Sequence, residues 1–320
     1  MKLQVLYSFI KDELSKIESD LHSIVESEST VIEEASTSLV NSGGKRVRPV
    51  FVLLSSKFGN SDAPLARDVA VSLELIHMAS LVHDDVIDGA TKRRGNITIN
   101  EQYNNRVSMY TGDFLFARAL EKMSNLQETR AHLVLSNTMV ELCIGEFQQL
   151  HDKYNFNQNL RSYLRRIKRK TALLLASSCQ LGAIAGNASK EWERRLYLYG
   201  YYVGMSYQII DDILDFVSTE EELGKPAGSD LLQGHVTLPV LYELQKGELT
   251  DQIIKVNEHM TKEEFQPLLE SIRKSDAIKL SRELSSRYLE KALKAIEPLP
   301  KGKPKSTLIA IANNMGKRKF

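Results

Sequence analysis

Two aspartate clusters are the residues of this chain best suited to chemistry: Asp84, Asp85 and Asp88, then Asp211, Asp212 and Asp215. Both have the spacing Asp-Asp-x-x-Asp and both follow apolar helical runs, Leu81-Val82 and Val203–Ile210. On a helix Asp84 and Asp88 lie one turn apart and share a face. Three carboxylates so close repel one another unless a cation lies between them. As hard oxygen donors they suit Mg²⁺, which keeps several waters and binds through a few carboxylates plus substrate phosphates. One cluster alone reads equally well as an acidic helix end. Its repetition argues otherwise, because the macrodipole disfavours acidic groups near a helix C-terminus.

Cations able to hold phosphate stand near both clusters in the sequence. Gly43-Gly44-Lys45-Arg46-Val47-Arg48-Pro49 joins a flexible turn, basic side chains and a helix start, the makings of an anion site. The spacing puts Lys45 and Arg48 on one face and points Arg46 elsewhere. Arg93-Arg94-Gly95 follows the first cluster, and adjacent guanidiniums offer bidentate phosphate recognition. Lys225 lies in a glycine-rich stretch after the second cluster, and Lys170-Thr171 opens an apolar helical run. Each of these alone is more often a solvated surface charge; the joint placement carries the reading. His77, two turns before Asp84 on a similar face, is a binding candidate weighed against an ordinary core histidine. His83 beside Asp84 would fit a His-Asp phosphohydrolase, but that reading leaves the second cluster and Arg93-Arg94-Gly95 unexplained. Below Asp84, Ser80 and Ala79 lie about 6 and 7.5 Å down the helix axis. Both are small, so an apolar chain can pass them toward Ile76 and Leu73.

Helices must position these groups. The prolines fall at 49, 64, 226, 239, 267, 298, 300 and 304, leaving residues 65–225 without one. Apolar residues recur there at three- and four-residue spacing, which predicts successive long helices: Asp68–Ile87, Ser108–Ser124, His132–Leu150 and Arg161–Ala185. Strand-like alternation is almost absent, so the expected class is all-α. Breaks are expected at Asn41–Gly44, at Asn60–Asp62, in a polar loop Gly89–Asn96, and in a long loop Ser218–Gly234, with a new helix opening at Ser189.

Composition excludes several function classes. A 42% hydrophobic and 26% charged chain of 320 residues can bury a sizeable core, and a net charge of +1 argues against general attraction to nucleic acid. The N-terminus lacks a signal-peptide core and no apolar run is long enough to span a membrane. Cys143 and Cys179 are both expected as buried core residues in a reducing, cytoplasmic setting.

Taken together, the motifs GGKRVRP, LIHMASLVHDDVIDGATKRRG, GDFLFARA, GEFQQL, KTALLLASSCQLGA, YQIIDDILD and GKPAGSDLLQGHVTLP occur in order. So arranged, the chain resembles the trans-isoprenyl diphosphate synthase family from about Gly43 to Pro239. That resemblance implies a single domain over residues 1–320, built as a bundle of antiparallel helices around a central cavity. It implies a homodimer, or a heterodimer with a small regulatory subunit. Asp84, Asp85, Asp88, Asp211, Asp212 and Asp215 would bind several Mg²⁺ ions bridging an allylic prenyl diphosphate. Arg93, Lys170, Thr171, Gln208 and Lys225 would hold that diphosphate; Lys45, Arg48, His77 and Arg94 would hold isopentenyl diphosphate. Lys170, Asp84, Asp88 and Asp211 carry the catalytic roles, and Ala79 and Ser80 bear on product length. The implied product is heptaprenyl diphosphate for menaquinone side chains, with geranylgeranyl or hexaprenyl products as alternatives and release at a membrane as a further expectation. A terpene cyclase and a non-catalytic binding subunit are the rival readings. Where many relatives carry lysine this chain has His235, which weakens that contact, and Lys317-Arg318-Lys319 reads as a solvated tail.

Overall fold

A chain with no proline between Pro64 and Pro226 forms long helices there, and the computed structural model shows them. It describes residues 8–60, 63–93, 95–220 and 226–316. Arg94, Lys225 and the tail Lys317–Lys319 lie outside the described residues.

The chain divides into two compact units, each assembled from three separate stretches: residues 1–135, 177–197 and 299–308, and residues 136–176, 198–298 and 309–320. In the first unit, α1 (Lys11–Ile24), α2 (Thr30–Asn41) and α3 (Val47–Ser56) lead to α4 (Ala63–Ile87). Helix α4 is its centre: residues 69–76 are all buried, whichever way they point. A helix apolar all round needs partners on every side, and α4 packs on α1, α3 and α6 (Asn105–Met123), most extensively on α6. Between α4 and α6, the expected polar loop contains a two-stranded hairpin, β1 (Lys92–Arg93) with β2 (Asn96–Ile97), followed by the single turn α5 (Ile99–Gln102).

Helix α7 (Thr129–His151) is followed by α8 (Leu160–Ile167), a π turn over Lys168–Ala172, and α9 (Leu173–Ala185). The continuous helix expected over Arg161–Ala185 is thus interrupted at Lys170-Thr171. Such one-turn π insertions re-aim side chains and often accompany functional sites. Helix α10 (Lys190–Val217) opens where expected, with the Ser189 hydroxyl accepting from the Trp192 amide at 3.2 Å. Beyond it come α11 (Ser229–Leu232), α12 (Leu238–Lys246), α13 (Thr250–Ile253), α14 (Lys262–Lys274), α15 (Asp276–Ile296) and α16 (Lys303–Gly316). The second unit's core gathers Tyr163, Ile209, Ile213, Phe216, Leu238, Val240 and Phe265. Helix α14 is held at its start by a reciprocal capping box between Thr261 and Glu264.

Cys179 is buried as expected, but Cys143 is exposed. It lies on α7 beside Val140, Ile144 and Phe147, themselves 57%, 43% and 72% exposed. Helical spacing could not tell a face that meets the core from an apolar face turned to solvent. No helix among the described residues is long and apolar enough to cross a membrane.

Candidate active site

The first aspartate cluster closes α4. Gly89, at φ +60°, takes the left-handed position that ends the helix, and the Ala90 amide donates back to the Asp85 carbonyl at 2.9 Å. The Thr98 hydroxyl and the Asn100 amide then hold the Ala90 carbonyl, at 2.7 and 3.0 Å. These bonds fix the hairpin that carries Arg93. Its guanidinium reaches Asp85 Oδ1 with two nitrogens, at 2.7 and 2.6 Å. Asp85 is only 4% exposed. Burial pushes its pKa above the ordinary aspartate value; Arg93 offsets part of that rise, while the charges of Asp84 and Asp88 add to it. The cluster therefore stores carboxylate repulsion that a bound dication would relieve.

A cleft beside this helix end is lined by His77, Asp85 and Arg93, with Arg46, Glu74 and Thr98. His77 thus shares a site with the cluster rather than serving only as core. His83 does not: its Nε2 lies 3.2 Å from the Met109 carbonyl and its ring 5.6 Å from that of Phe116, which places it as a packing residue between α4 and α6. Ala79 is fully buried, and half-buried Ser80 turns its hydroxyl to the His77 carbonyl at 2.8 Å.

The basic loop departs from expectation in one respect. Helix α3 starts only at Val47, after Arg46 in the left-handed conformation (φ 45°). Lys45 is exposed ahead of that reversal and Arg48 is half-buried within the first turn, so the two are not neighbours on one helix face. Arg46 does point elsewhere, as anticipated: it bonds Glu18 and Glu74.

In the second unit, the π turn is wedged between two helices by glycines. A Cβ on Gly145 would lie 2.7 Å from Arg169 Cβ, and one on Gly204 would lie 2.6 Å from Ala172 Cα. Close approach of α7 and α10 thereby sets Lys170 and Thr171. Lys170 Nζ pairs with Glu146 at 3.1 Å. The Thr171 hydroxyl donates to Gln208 Oε1 at 2.6 Å, and Gln208 Nε2 donates to Asp212 Oδ1 at 2.9 Å. Asp212 Oδ2 accepts from the Tyr163 hydroxyl at 2.7 Å. Burial is the main cause raising the Asp212 pKa to about 7, against which the two hydrogen bonds work. Asp215 Oδ1 accepts from the Ser229 hydroxyl at 3.1 Å, and Oδ2 from the Asp230 amide at 3.2 Å. Asp212 and Asp215 are thus tied into the protein, and Asp211 is half-buried on α10.

Tyr163, Arg166 and Asp230 were not singled out by sequence. Tyr163 sits one helix before Lys170-Thr171, a signal visible only once α8 and α10 are known to pack together. Arg166 buttresses it, with its guanidinium carbon 5.7 Å from the Tyr163 ring centre and hydrogen bonds to Gln158 and the Val236 carbonyl.

Among the described residues, no three His, Cys, Asp or Glu side chains converge enough to make a ready metal cage. Mg²⁺ needs none, since it binds through one or two carboxylates together with substrate phosphates and waters. The donor set here, carboxylates crowded at a half-buried helix end, fits that ion.

Residues 29–272 match the family model described as polyprenyl synthetase, a stretch that includes both aspartate clusters. The chain belongs to the polyprenyl synthetase family. Its activity is therefore that of a prenyltransferase. It is 56% identical to heptaprenyl diphosphate synthase component 2 of Bacillus subtilis (strain 168), over all of this chain and 92% of that relative. The crystal structure of heptaprenyl diphosphate synthase from Staphylococcus aureus superposes with a TM-score of 0.94 at 46% identity, covering 97% of this chain and 99% of that one. A polyprenyl synthase from Caulobacter crescentus CB15, complexed with calcium and isoprenyl diphosphate, gives a TM-score of 0.95 at 28% identity, over 100% and 98% of the two chains. These structures have the all-α class expected from the helical periodicity and the isoprenoid synthase fold that the family resemblance implied.

Proposed function

We propose that this polyprenyl synthetase condenses an allylic prenyl diphosphate with isopentenyl diphosphate, with Mg²⁺ as cofactor and heptaprenyl diphosphate as product. The observation that carries the reading is the gathering of His77, Asp85 and Arg93 along one cleft at the end of α4, which brings carboxylate and cation together. The product assignment rests on likeness to the Bacillus subtilis relative.

The ions would be held by Asp84 and Asp88 of the first cluster and Asp211 of the second, while Asp85, Asp212 and Asp215 orient the helix ends through their protein partners. When bound, Mg²⁺ supplies positive charge to the departing diphosphate. Lys170, Thr171, Gln208 and Arg93 hold the allylic diphosphate as its carbon–oxygen bond ionises; Lys225 joins them in this reading. Fixed cations aimed where negative charge develops stabilise that step without reorganising. Lys45, Arg48, His77 and Arg94 hold isopentenyl diphosphate, whose double bond attacks the allylic cation. The proton then lost goes to the released diphosphate, so no protein nucleophile is needed. Ala79 and Ser80 leave room for the growing chain.

The whole chain acts as one polyprenyl synthase domain in this reading, working at the cytoplasmic side with product released to membrane. It pairs with a small regulatory subunit or a second copy; the relative's designation as component 2 and the exposed apolar face of Val140, Ile144 and Phe147 support a partner. Purified chain, assayed with Mg²⁺, an allylic starter and labelled isopentenyl diphosphate, alone and with such a subunit, tests the reading. Chain elongation supports it, and its absence in both preparations refutes it.

A further inference from the structure

Within the loop Gly43–Arg48, the middle cation is used differently from its neighbours. Arg46 donates from Nε to Glu18 Oε1 at 2.7 Å and from a terminal nitrogen to Glu18 Oε2 at 3.1 Å. Its other terminal nitrogen reaches Glu74 Oε1 at 3.1 Å, and the Val40 carbonyl accepts a further bond at 3.0 Å. One guanidinium thereby joins α1, the end of α2, the start of α3 and the middle of α4. A planar donor fork is suited to such fixed, multi-point bonding. Its charge is spent on two carboxylates, and burial opposes the rise in its pKa that these carboxylates produce.

Two further observations give this junction a purpose beyond packing. Arg46 holds a left-handed backbone (φ 45°) that an L residue with a long side chain rarely adopts, so the surrounding bonds must enforce it. That reversal stands between exposed Lys45 and the start of α3 at Val47, whose first turn carries Arg48. The partner Glu74 is 4% exposed, lines the same cleft as His77 one helical turn away, and keeps its Oε2 buried without a hydrogen-bond partner. A buried carboxylate oxygen left so is costly.

We propose that Arg46 is a positioning residue: pinned by Glu18 and Glu74, it holds the Lys45–Arg48 loop in register with His77 for isopentenyl diphosphate, without touching that substrate. The inference rests on the isopentenyl diphosphate assignment above. It predicts a selective defect. Isothermal calorimetry on the full-length chain gives Kd for isopentenyl diphosphate and, separately, for farnesyl diphosphate with Mg²⁺, whether or not the partner subunit is present. Arg46→Ala is expected to weaken isopentenyl diphosphate about tenfold, as loss of charged hydrogen bonds does, and to leave farnesyl diphosphate within about twofold. Hydrogen exchange of residues 43–48 should quicken in parallel. Glu18→Gln, at a half-exposed partner, keeps the fold and should give a smaller effect of the same selectivity.

Lys45→Ala serves as the control. If it too weakens isopentenyl diphosphate, the site assignment stands, and an unchanged affinity in both Arg46→Ala and Glu18→Gln overturns the positioning role. Equal weakening of both ligands, or loss of stability without loss of affinity, also overturns it, since either is what a purely structural arginine gives. An unchanged Lys45→Ala overturns the assignment beneath the inference instead.

Discussion

The Tyr163 hydroxyl donates a 2.7 Å hydrogen bond to Asp212 Oδ2, joining a fully buried phenol on α8 to a fully buried carboxylate on α10. Thr171 and Gln208 extend the same chain to the other oxygen of Asp212. The second aspartate cluster is thus positioned by a hydrogen-bonded line that starts at the π turn. Removing the phenol hydroxyl leaves the carboxylate half-served. Tyr163→Phe should cost about 1–3 kcal/mol in stability, read by urea unfolding, and should raise KM for the allylic substrate more than for isopentenyl diphosphate. Equal effects on both would show that the line does not serve the allylic side.

The same burial makes a pH prediction. Asp212 has its folded pKa raised from 3.8 to about 7, so the folded state binds the proton more tightly than the unfolded chain. A raised carboxylate pKa contributes stability at low pH that is lost as pH rises through the window from 3.8 to about 7. Metal-free protein, unfolded by urea in chelator, should be less stable at pH 8 than at pH 5. Asp212→Asn should shrink that difference by on the order of 3 kcal/mol at most. An identical pH dependence in the two proteins would contradict the assignment.

Gly204 sets how closely α10 approaches the π turn, because an added Cβ would lie 2.6 Å from Ala172 Cα. Gly204→Ala should destabilise the protein by about 1–3 kcal/mol through overpacking. It should also displace Lys170 and Thr171 enough to lower kcat/KM for the allylic diphosphate. Wild-type melting and kinetics in this variant would mean the turn is not clamped as described.

Much of this was legible in the sequence because helices announce themselves by period. The proline-free span predicted α4, α6 and α7 to within about five residues and the opening of α10, and the doubled aspartate spacing located both helix ends. Less legible were features that depend on what packs where. The π turn at Lys168–Ala172 has no periodic signature of its own; it is set by Gly145 and Gly204 on neighbouring helices. The left-handed Arg46 broke the helical face drawn through Lys45 and Arg48, and only its partners Glu18 and Glu74, distant in sequence, explain it. Cys143 was misjudged because α7 has a second apolar face, which turns to solvent in this chain. The roles within each cluster were also hidden: equal spacing does not reveal that Asp85 and Asp212 are held by Arg93 and Tyr163.

Small residues below the first cluster bear on product length. Ala79 is fully buried in α4 just below Asp84. Ala79→Tyr should give shorter prenyl products by chromatography of the dephosphorylated alcohols, with the variant's folded stability checked by melting. Products of unchanged length would contradict a path past Ala79.

The most direct test of the account is the Mg²⁺ dependence of chain elongation in wild type and Asp84→Ala. Purified protein, with a small partner subunit supplied, is incubated with farnesyl diphosphate and labelled isopentenyl diphosphate, with and without Mg²⁺. The account predicts heptaprenyl diphosphate from the wild type only when Mg²⁺ is present, and elongation at least about a thousandfold slower for Asp84→Ala. Undiminished elongation by Asp84→Ala, or a hydrocarbon formed from farnesyl diphosphate without isopentenyl diphosphate, would contradict it.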